Sequence, residues 1–112
     1  MRSNSIAPSL CLLAAGLFSS AAGASMEAPG ERSGEQVVQH QCVLCHGAGV
    51  GGAPRIGDRK AWSERARAGL DGLVRSALQG RGGMPPSGGL AGLKEAELRA
   101  AIAYMLDKSG AR

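Results

Sequence analysis

Cys42-Val43-Leu44-Cys45-His46 (CVLCH) is the stretch of sequence that decides how this chain folds. Two thiols three positions apart on a helix lie near one face, and a histidine directly follows the second thiol. This C-x-x-C-H spacing is the attachment signature of a c-type haem: each thiol adds across one vinyl group, and the imidazole lies beneath the iron. The sequence therefore predicts one covalent haem, held through Cys42 and Cys45, with His46 as the proximal ligand.

Three other interpretations of the same residues compete. A zinc site would combine Cys42 and Cys45 with His40 or His46, but structural zinc usually draws a second ligand pair from farther along the chain, and residues 47–112 contain no Cys or His. A thioredoxin-like redox pair needs a preceding strand within a βαβ unit. A plain structural disulfide leaves His46 unexplained.

The first residues have the pattern of an export signal. Arg2 supplies a positive charge, residues 10–18 are apolar, and Ala22-Gly23-Ala24 has small residues on both sides of a cleavage position. We expect cleavage after Ala24, so that residues 1–24 are a signal peptide and the mature protein is periplasmic. The alternative is an uncleaved leader that anchors the chain, although the apolar run is short for a membrane span.

The rest of the chain is one small domain. We assign residues 25–32 to a flexible lead-in and residues 33–112 to the domain. The chain of 112 residues has one Trp, one Tyr and one Phe beside 18 glycines, and a domain of this size buries only a thin core. A large flat cofactor is therefore expected to fill the interior. The net charge of +4 comes without a basic run interleaved with aromatics, which argues against nucleic-acid binding.

Local signals predict four or so short helices and no substantial sheet. Ser33 and Gln36 form a capping box for a helix over about 34–45, and Asp58 is the N-cap of a second helix that ends near residue 69. Apolar residues then recur with helical spacing until Gly80 ends a third helix. The last helix covers about 94–107.

Two loops separate these helices. Residues 47–57 and 80–92 are rich in glycine and proline and cannot form regular structure. No segment alternates apolar and polar residues with a period of two. The fold class is therefore all-α, with short helices wrapped around one covalently bound haem.

A methionine is the candidate for the other axial position. Downstream of His46 the candidates are Met84 and Met105. Met105 lies on the apolar face of the last helix and is interpreted as core. Met84 stands beside Gly83 and Pro85 in a rigid loop, which suits a thioether that is held toward a metal. An iron filled by His46 and Met84 favours electron transfer over chemistry on a small-molecule substrate, so we expect an electron carrier and not an enzyme.

An ordered set of residues along the chain resembles a known family. The set comprises Gly34, Val38, the CVLCH motif, Gly52-Ala53-Pro54, Gly57-Asp58, Ala61-Trp62, Arg65, Leu78, Gly80, Met84-Pro85-Pro86, Gly88-Gly89 and Ala103-Tyr104-Met105. In these residues the sequence resembles a class I cytochrome c of the bacterial cytochrome c5 group, over about residues 34–106.

This resemblance implies a haem-wrapping helical fold in which the first and last helices cross. It implies that Gly34 lets those helices approach closely and that Tyr104 packs near the crossing. It also implies that the carbonyl of Pro54 accepts a hydrogen bond from the proximal imidazole, which would fix the ring's orientation. The activity it implies is periplasmic electron transfer.

Two departures from the family pattern concern the end of the domain. Leu90 and Leu93 stand where many members have a cysteine pair, so that disulfide is absent. Lys94 stands where members often have Ser or Thr, so we expect the last helix to lack its N-cap.

The surroundings of the haem leave roles open for four residues. Trp62 either donates its indole N–H to a propionate or covers the haem edge. Arg55, Arg59 and Lys60 either pair with propionates or an acidic partner, or form a solvated surface, and we favour the surface.

We expect a periplasmic monohaem carrier that shuttles electrons between respiratory oxidoreductases. Its expected partners are redox proteins such as a terminal oxidase or a reductase complex, with membrane association only through partners or an uncleaved leader. The alternative is a haem c subunit permanently bound in a larger oxidoreductase complex. A ligand sensor or peroxidase with an open iron site is a third class.

Overall fold

The computed structural model describes Gly16 and residues 30–112. The predicted signal peptide, apart from Gly16, and residues 25–29 of the predicted lead-in lie outside the described residues. Within residues 30–112, no helix has the length and apolar character needed to cross a membrane.

The first predicted helix is present as one helical run with a change of winding in the middle. It consists of α1 (Gly34–Val37), a π-helical turn (Val38–Cys42) and α2 (Val43–His46). The predicted capping box begins it: the oxygen of Ser33 accepts from the Gln36 N–H at 3.1 Å, and the Gln36 amide oxygen accepts from the Ser33 N–H at 2.8 Å. The π turn was not predicted, because nothing in a local pattern separates it from an α-helix.

The next two helices are α3 (Arg59–Ala66) and α4 (Gly69–Gln79). Asp58 begins α3 as predicted, since its Oδ1 accepts from the Ala61 N–H at 3.1 Å. Gly80 ends α4 with a φ of 81°, in the range that favours glycine. Short 3₁₀ turns at Val50–Gly52 and Pro86–Gly89 interrupt the two loops.

The last helix is α5 (Glu95–Lys108). The predicted absence of an N-cap at Lys94 is only partly compensated. The ammonium group of Lys94 cannot accept a hydrogen bond, but the Glu97 carboxylate accepts from the Lys94 N–H at 3.1 Å. Glu97 therefore supplies the part of a capping box that the family's Ser or Thr would complete.

Helix α1 packs against α5 where the resemblance implied a crossing, and α4 also packs against α5. The crossing is close, because a Cβ on Gly34 would collide with the Ala100 carbonyl oxygen. The hydroxyl of Tyr104 donates to Glu35 Oε1 at 3.1 Å across the same crossing. The close approach at Gly34 and the packing of Tyr104 near the crossing are thus both present in the structure.

A single apolar core lies between these helices. Among the described residues, its buried members are Val37, Val38, Trp62, Val74, Ala77, Leu98, Ala101, Ile102, Met105, Leu106 and Ala111. Leu90 and Leu93 are half-buried against this core, so apolar contact stands in the place of the family's cysteine pair. The part of the chain that the structure describes contains no strand, only a single bridge between Arg81 and Met84.

The last residue of the predicted lead-in is tied to the domain. Arg32 donates its Nε to Glu97 Oε2 at 2.6 Å, its Nη2 to Oε1 at 3.1 Å and its backbone N–H to Oε2 at 3.0 Å. Glu97 is only 3 % exposed. The hydrogen bonds from Arg32 are the main reason that the pKa of Glu97 falls from an ordinary value near 4.5 to about 2.

Candidate functional site

A cleft of about 540 Å³ opens into the core. The interior side of its wall is apolar, with Leu73, Ala77, Leu98 and Ile102 contributed by α4 and α5. Protein interiors are packed densely and rarely keep voids larger than a water molecule. An apolar cleft of this volume in so small a domain therefore fits a large, flat, mostly apolar ligand.

Both cysteines of the CVLCH motif line this cleft. Cys42 is half-buried and Cys45 is exposed, and neither is in a disulfide. Burial raises the pKa of the Cys42 thiol. The two thiols lie at the end of the π turn and within α2, so the helical run carries both attachment points.

His46 is buried at the end of α2 and also lines the cleft. Its Nδ1 lies 2.8 Å from the carbonyl oxygen of Pro54. A carbonyl can only accept, so Nδ1 carries the proton and Nε2 of the neutral ring keeps its lone pair. Among the described residues none partners Nε2, and the hydrogen bond that the family resemblance implied is present.

The ring of Trp62 lies beside the ring of His46, with 5.6 Å between their centroids and planes tilted by 42°. Trp62 is 4 % exposed. Its indole N–H donates to the carbonyl oxygen of Arg55 at 2.9 Å. The donor is thus already engaged, so of the two roles left open for Trp62 the structure favours covering the cleft over binding a propionate.

Met84 lines the same cleft and is half-buried. Its backbone is fixed by two hydrogen bonds to Arg81: the Met84 N–H donates to the Arg81 carbonyl at 2.8 Å, and the Arg81 N–H donates back at 3.0 Å. Gly80 lies under this turn, where a Cβ would come within 2.9 Å of the Met84 carbonyl oxygen. Met105 also reaches the cleft but is a buried core residue, 3 % exposed.

The cations that line the cleft differ from the three whose role near the haem the sequence left open. Arg55, Arg59 and Lys60 are exposed, as favoured, and do not line the cleft. Arg65 and Arg81 do. The spacing could have revealed Arg65, because it lies three positions after Trp62 and so on the same side of α3.

Arg65 has spare hydrogen-bonding capacity. It is half-buried and donates Nη1 to the Ala61 carbonyl at 3.0 Å. Within residues 30–112 it forms no ion pair with a carboxylate, and no acidic side chain of that part lines the cleft. A half-buried guanidinium without a carboxylate partner suits an acidic group on a ligand.

The described part of the chain offers no set of ligands for zinc, the competing interpretation of the motif. No three His, Cys, Asp or Glu side chains there converge on a point that could hold an ion. The cleft instead brings together two thiols, one imidazole nitrogen and the thioethers of Met84 and Met105, along an apolar wall. This donor set fits a porphyrin that is attached twice and ligated through its iron.

Comparisons with known proteins agree with this fit. The family model described as cytochrome C oxidase, cbb3-type, subunit III, matches residues 29–105. Cytochrome c5 of Ectopseudomonas mendocina is 49 % identical over 78 residues, which cover 68 % of this chain and 90 % of the relative.

Two solved structures have a similar fold. A chain in the crystal structure of an electron transfer complex of nitrite reductase with cytochrome c is 47 % identical, with a TM-score of 0.66, over 68 % of this chain and 93 % of that one. A mono-haem ferrocytochrome c from Shewanella putrefaciens is 34 % identical, with a TM-score of 0.61, over 66 % of this chain and 91 % of that one.

Proposed function

The chain belongs to the class I cytochromes c, in the cytochrome c5 family, and on that premise we propose that it is a periplasmic electron carrier whose iron is ligated by His46 and Met84. As a cytochrome c it is an electron carrier and not an enzyme. It holds one c-type haem covalently through Cys42 and Cys45.

The hydrogen bond from His46 to Pro54 is the observation that carries the ligand assignment. Because Nδ1 donates to that carbonyl, the hydrogen bond fixes both the tautomer and the orientation of the ring. Nε2 is therefore the nitrogen that keeps its lone pair. His46 directly follows Cys45, which fixes it close to the porphyrin that the thiols hold. Trp62 packs against the imidazole and keeps water from it.

Met84 is the thioether we assign to the second axial position. The paired hydrogen bonds to Arg81 and the close turn at Gly80 limit the movement of its backbone. Met105, on α5, is instead packed in the apolar core of the domain. Two protein ligands leave no open position for oxygen or peroxide, which favours electron transfer.

The haem, when bound, supplies an iron that gains and loses one electron. The apolar wall from α4 and α5 excludes water and so disfavours the more highly charged oxidised form. Among the described residues, Arg65 and Arg81 are the cationic side chains along the cleft, and we expect them to face the propionates. Cys45, one of the two residues that would hold the haem, is exposed, and we expect a partner to dock on this side of the cleft.

The proposed partners are redox proteins, in particular a terminal oxidase or a reductase complex. The nitrite reductase complex among the structural neighbours supports a redox enzyme as partner. The predicted signal peptide, residues 1–24, supports export to the periplasm.

A second candidate function is a haem subunit that stays bound in a larger oxidoreductase. The match to a family described as an oxidase subunit favours it. Gel filtration of a native extract separates the two functions, because a free carrier elutes at the size of the isolated chain and a subunit elutes with its complex.

The absorption spectrum of the oxidised holoprotein tests the ligand assignment. Wild type should show the weak long-wavelength band of sulfur-ligated ferric haem. We expect Met84→Ala to lose this band and its reduced form to bind carbon monoxide rapidly, whereas Met105→Leu should keep the band. If the band survives in Met84→Ala, Met84 is not the ligand.

A further inference from the structure

Gln41 connects the helical run that carries Cys42 and Cys45 to the loop that carries Met84. It directly precedes Cys42 at the end of the π turn. Its amide nitrogen donates to the carbonyl oxygen of Gly88 at 2.9 Å, across 47 positions of sequence, in a half-buried setting. Gly88 belongs to the 3₁₀ turn that follows Met84 and Pro85.

The turn that Gln41 contacts has an unfavourable backbone. Ser87, Gly88 and Gly89 have φ values of 52°, 64° and 78° in succession. Ser87 is the one described non-glycine residue with positive φ, a conformation that costs an L-residue free energy and persists only where the surroundings enforce it. Two backbone hydrogen bonds within the turn, from Gly88 N–H to Pro85 and from Leu90 N–H to Ser87, support this shape, and a contact from outside the turn adds to them.

The turn in its observed shape lies close to the end of the Met84 side chain. The position that a Cβ on Gly88 would occupy is 3.9 Å from Met84 Cε. The Gln41 amide nitrogen is likewise within 3.6 Å of the corresponding position on Gly89. Gln41 thus braces Gly88 through its hydrogen bond, and Gly88 lies close to the end of the Met84 side chain.

We propose that Gln41 is a positioning residue that keeps Met84 on the iron by bracing the Pro86–Gly89 turn. This inference rests on the proposed ligation by Met84. Gln41 touches neither the iron nor the sulfur in this account, and it acts through Gly88. Without the brace the turn relaxes toward unstrained conformations, so the thioether leaves the iron more often.

The rate at which imidazole displaces the methionine in the oxidised holoprotein measures this directly. We expect Gln41→Leu to raise the displacement rate about fivefold, as for the loss of one ordinary hydrogen bond. Gln41→Glu keeps the size but replaces the donor by an acceptor facing a carbonyl, and it should raise the rate at least as much. Gln39→Leu, on the exposed side of the same helical run, is the matched control and should leave the rate unchanged.

A second comparison separates a local effect from a general loss of stability. Gly34→Ala weakens the crossing of α1 and α5 without touching the turn, and it should accelerate displacement less than Gln41→Leu does. Equal rates for wild type and Gln41→Leu, or equal acceleration by Gly34→Ala, would overturn the inference. If wild type itself lacks the long-wavelength band, the ligation by Met84 is wrong and the inference fails with it; a normal wild-type band with unchanged rates in Gln41→Leu refutes the inference alone.

Discussion

Replacing Gly34 by alanine tests whether the packing of the first helix on the last depends on the absence of one methyl group. A Cβ at this position would collide with the carbonyl oxygen and carbon of Ala100. Both are backbone atoms of α5, so no change of rotamer can remove them. Relief requires the two helices to move apart, which loosens the contact between α1 and the core.

The size of the effect follows from two opposing contributions. Exchanging glycine for alanine in the middle of a helix ordinarily stabilises by about 0.5–1 kcal/mol, and Gly34 is the first residue of α1, so the gain here is at most of that size. Overpacking a well-packed interface costs about 1–3 kcal/mol and occasionally more, and a backbone obstacle places this site at the upper end. We expect a net loss of about 2 kcal/mol in the free energy of unfolding, or a Tm lowered by roughly 8–16 °C for a domain of this size.

Thermal unfolding of the oxidised holoprotein, followed by far-ultraviolet circular dichroism, measures this loss. The matched control is Gly72→Ala in the interior of α4. There the new Cβ meets only the methyl carbon of Ala68, at 3.1 Å, and a small shift relieves the contact. We expect the control to stay within about 1 kcal/mol of wild type. A Gly34→Ala protein as stable as this control would refute the close-packed crossing.

Two further predictions concern charge. Arg65→Gln should lower the midpoint potential of the haem, because removing a cation beside the cleft favours the oxidised form. Arg67→Gln, exposed just after α3, should leave the potential unchanged. Spectroelectrochemical titration compares the two variants, and equal shifts would contradict the placement of Arg65. The ion pair of Arg32 and Glu97 should make stability depend on pH in acid: since folding lowers the pKa of Glu97 to about 2, its contribution is present above the ordinary carboxyl pKa near 4.5 and is lost as the pH falls toward 2. Glu97→Gln should lower the unfolding temperature at pH 7 and flatten its fall between pH 4.5 and 2, while Glu95→Gln, exposed on the same first turn, should do neither.

The capping residues were the most reliable local predictors of the fold. Ser33 with Gln36, Asp58 and Gly80 each act at a helix end, where the partner group lies within a few positions along the chain. Such interactions need no knowledge of the rest of the molecule. The π turn at Val38–Cys42 escaped prediction, because it shares its residue preferences with the α-helix around it.

The sequence alone determined the cofactor and its attachment. Thioether spacing and the adjoining histidine are fixed by covalent neighbours, so the CVLCH motif carries its chemistry wherever the helix lies. It also left only two downstream methionines to consider.

The tertiary structure decided which groups are already engaged and which remain free. Trp62 gives its N–H to Arg55 and not to a ligand, Arg65 and not Arg55 reaches the cleft, and Gln41 meets Gly88. Gln41 and Gly88 are 47 positions apart in the sequence. Its meeting depends on how α1, α4 and α5 pack, because hydrogen bonds form only within about 3 Å. No local pattern encodes a distance that the whole fold sets.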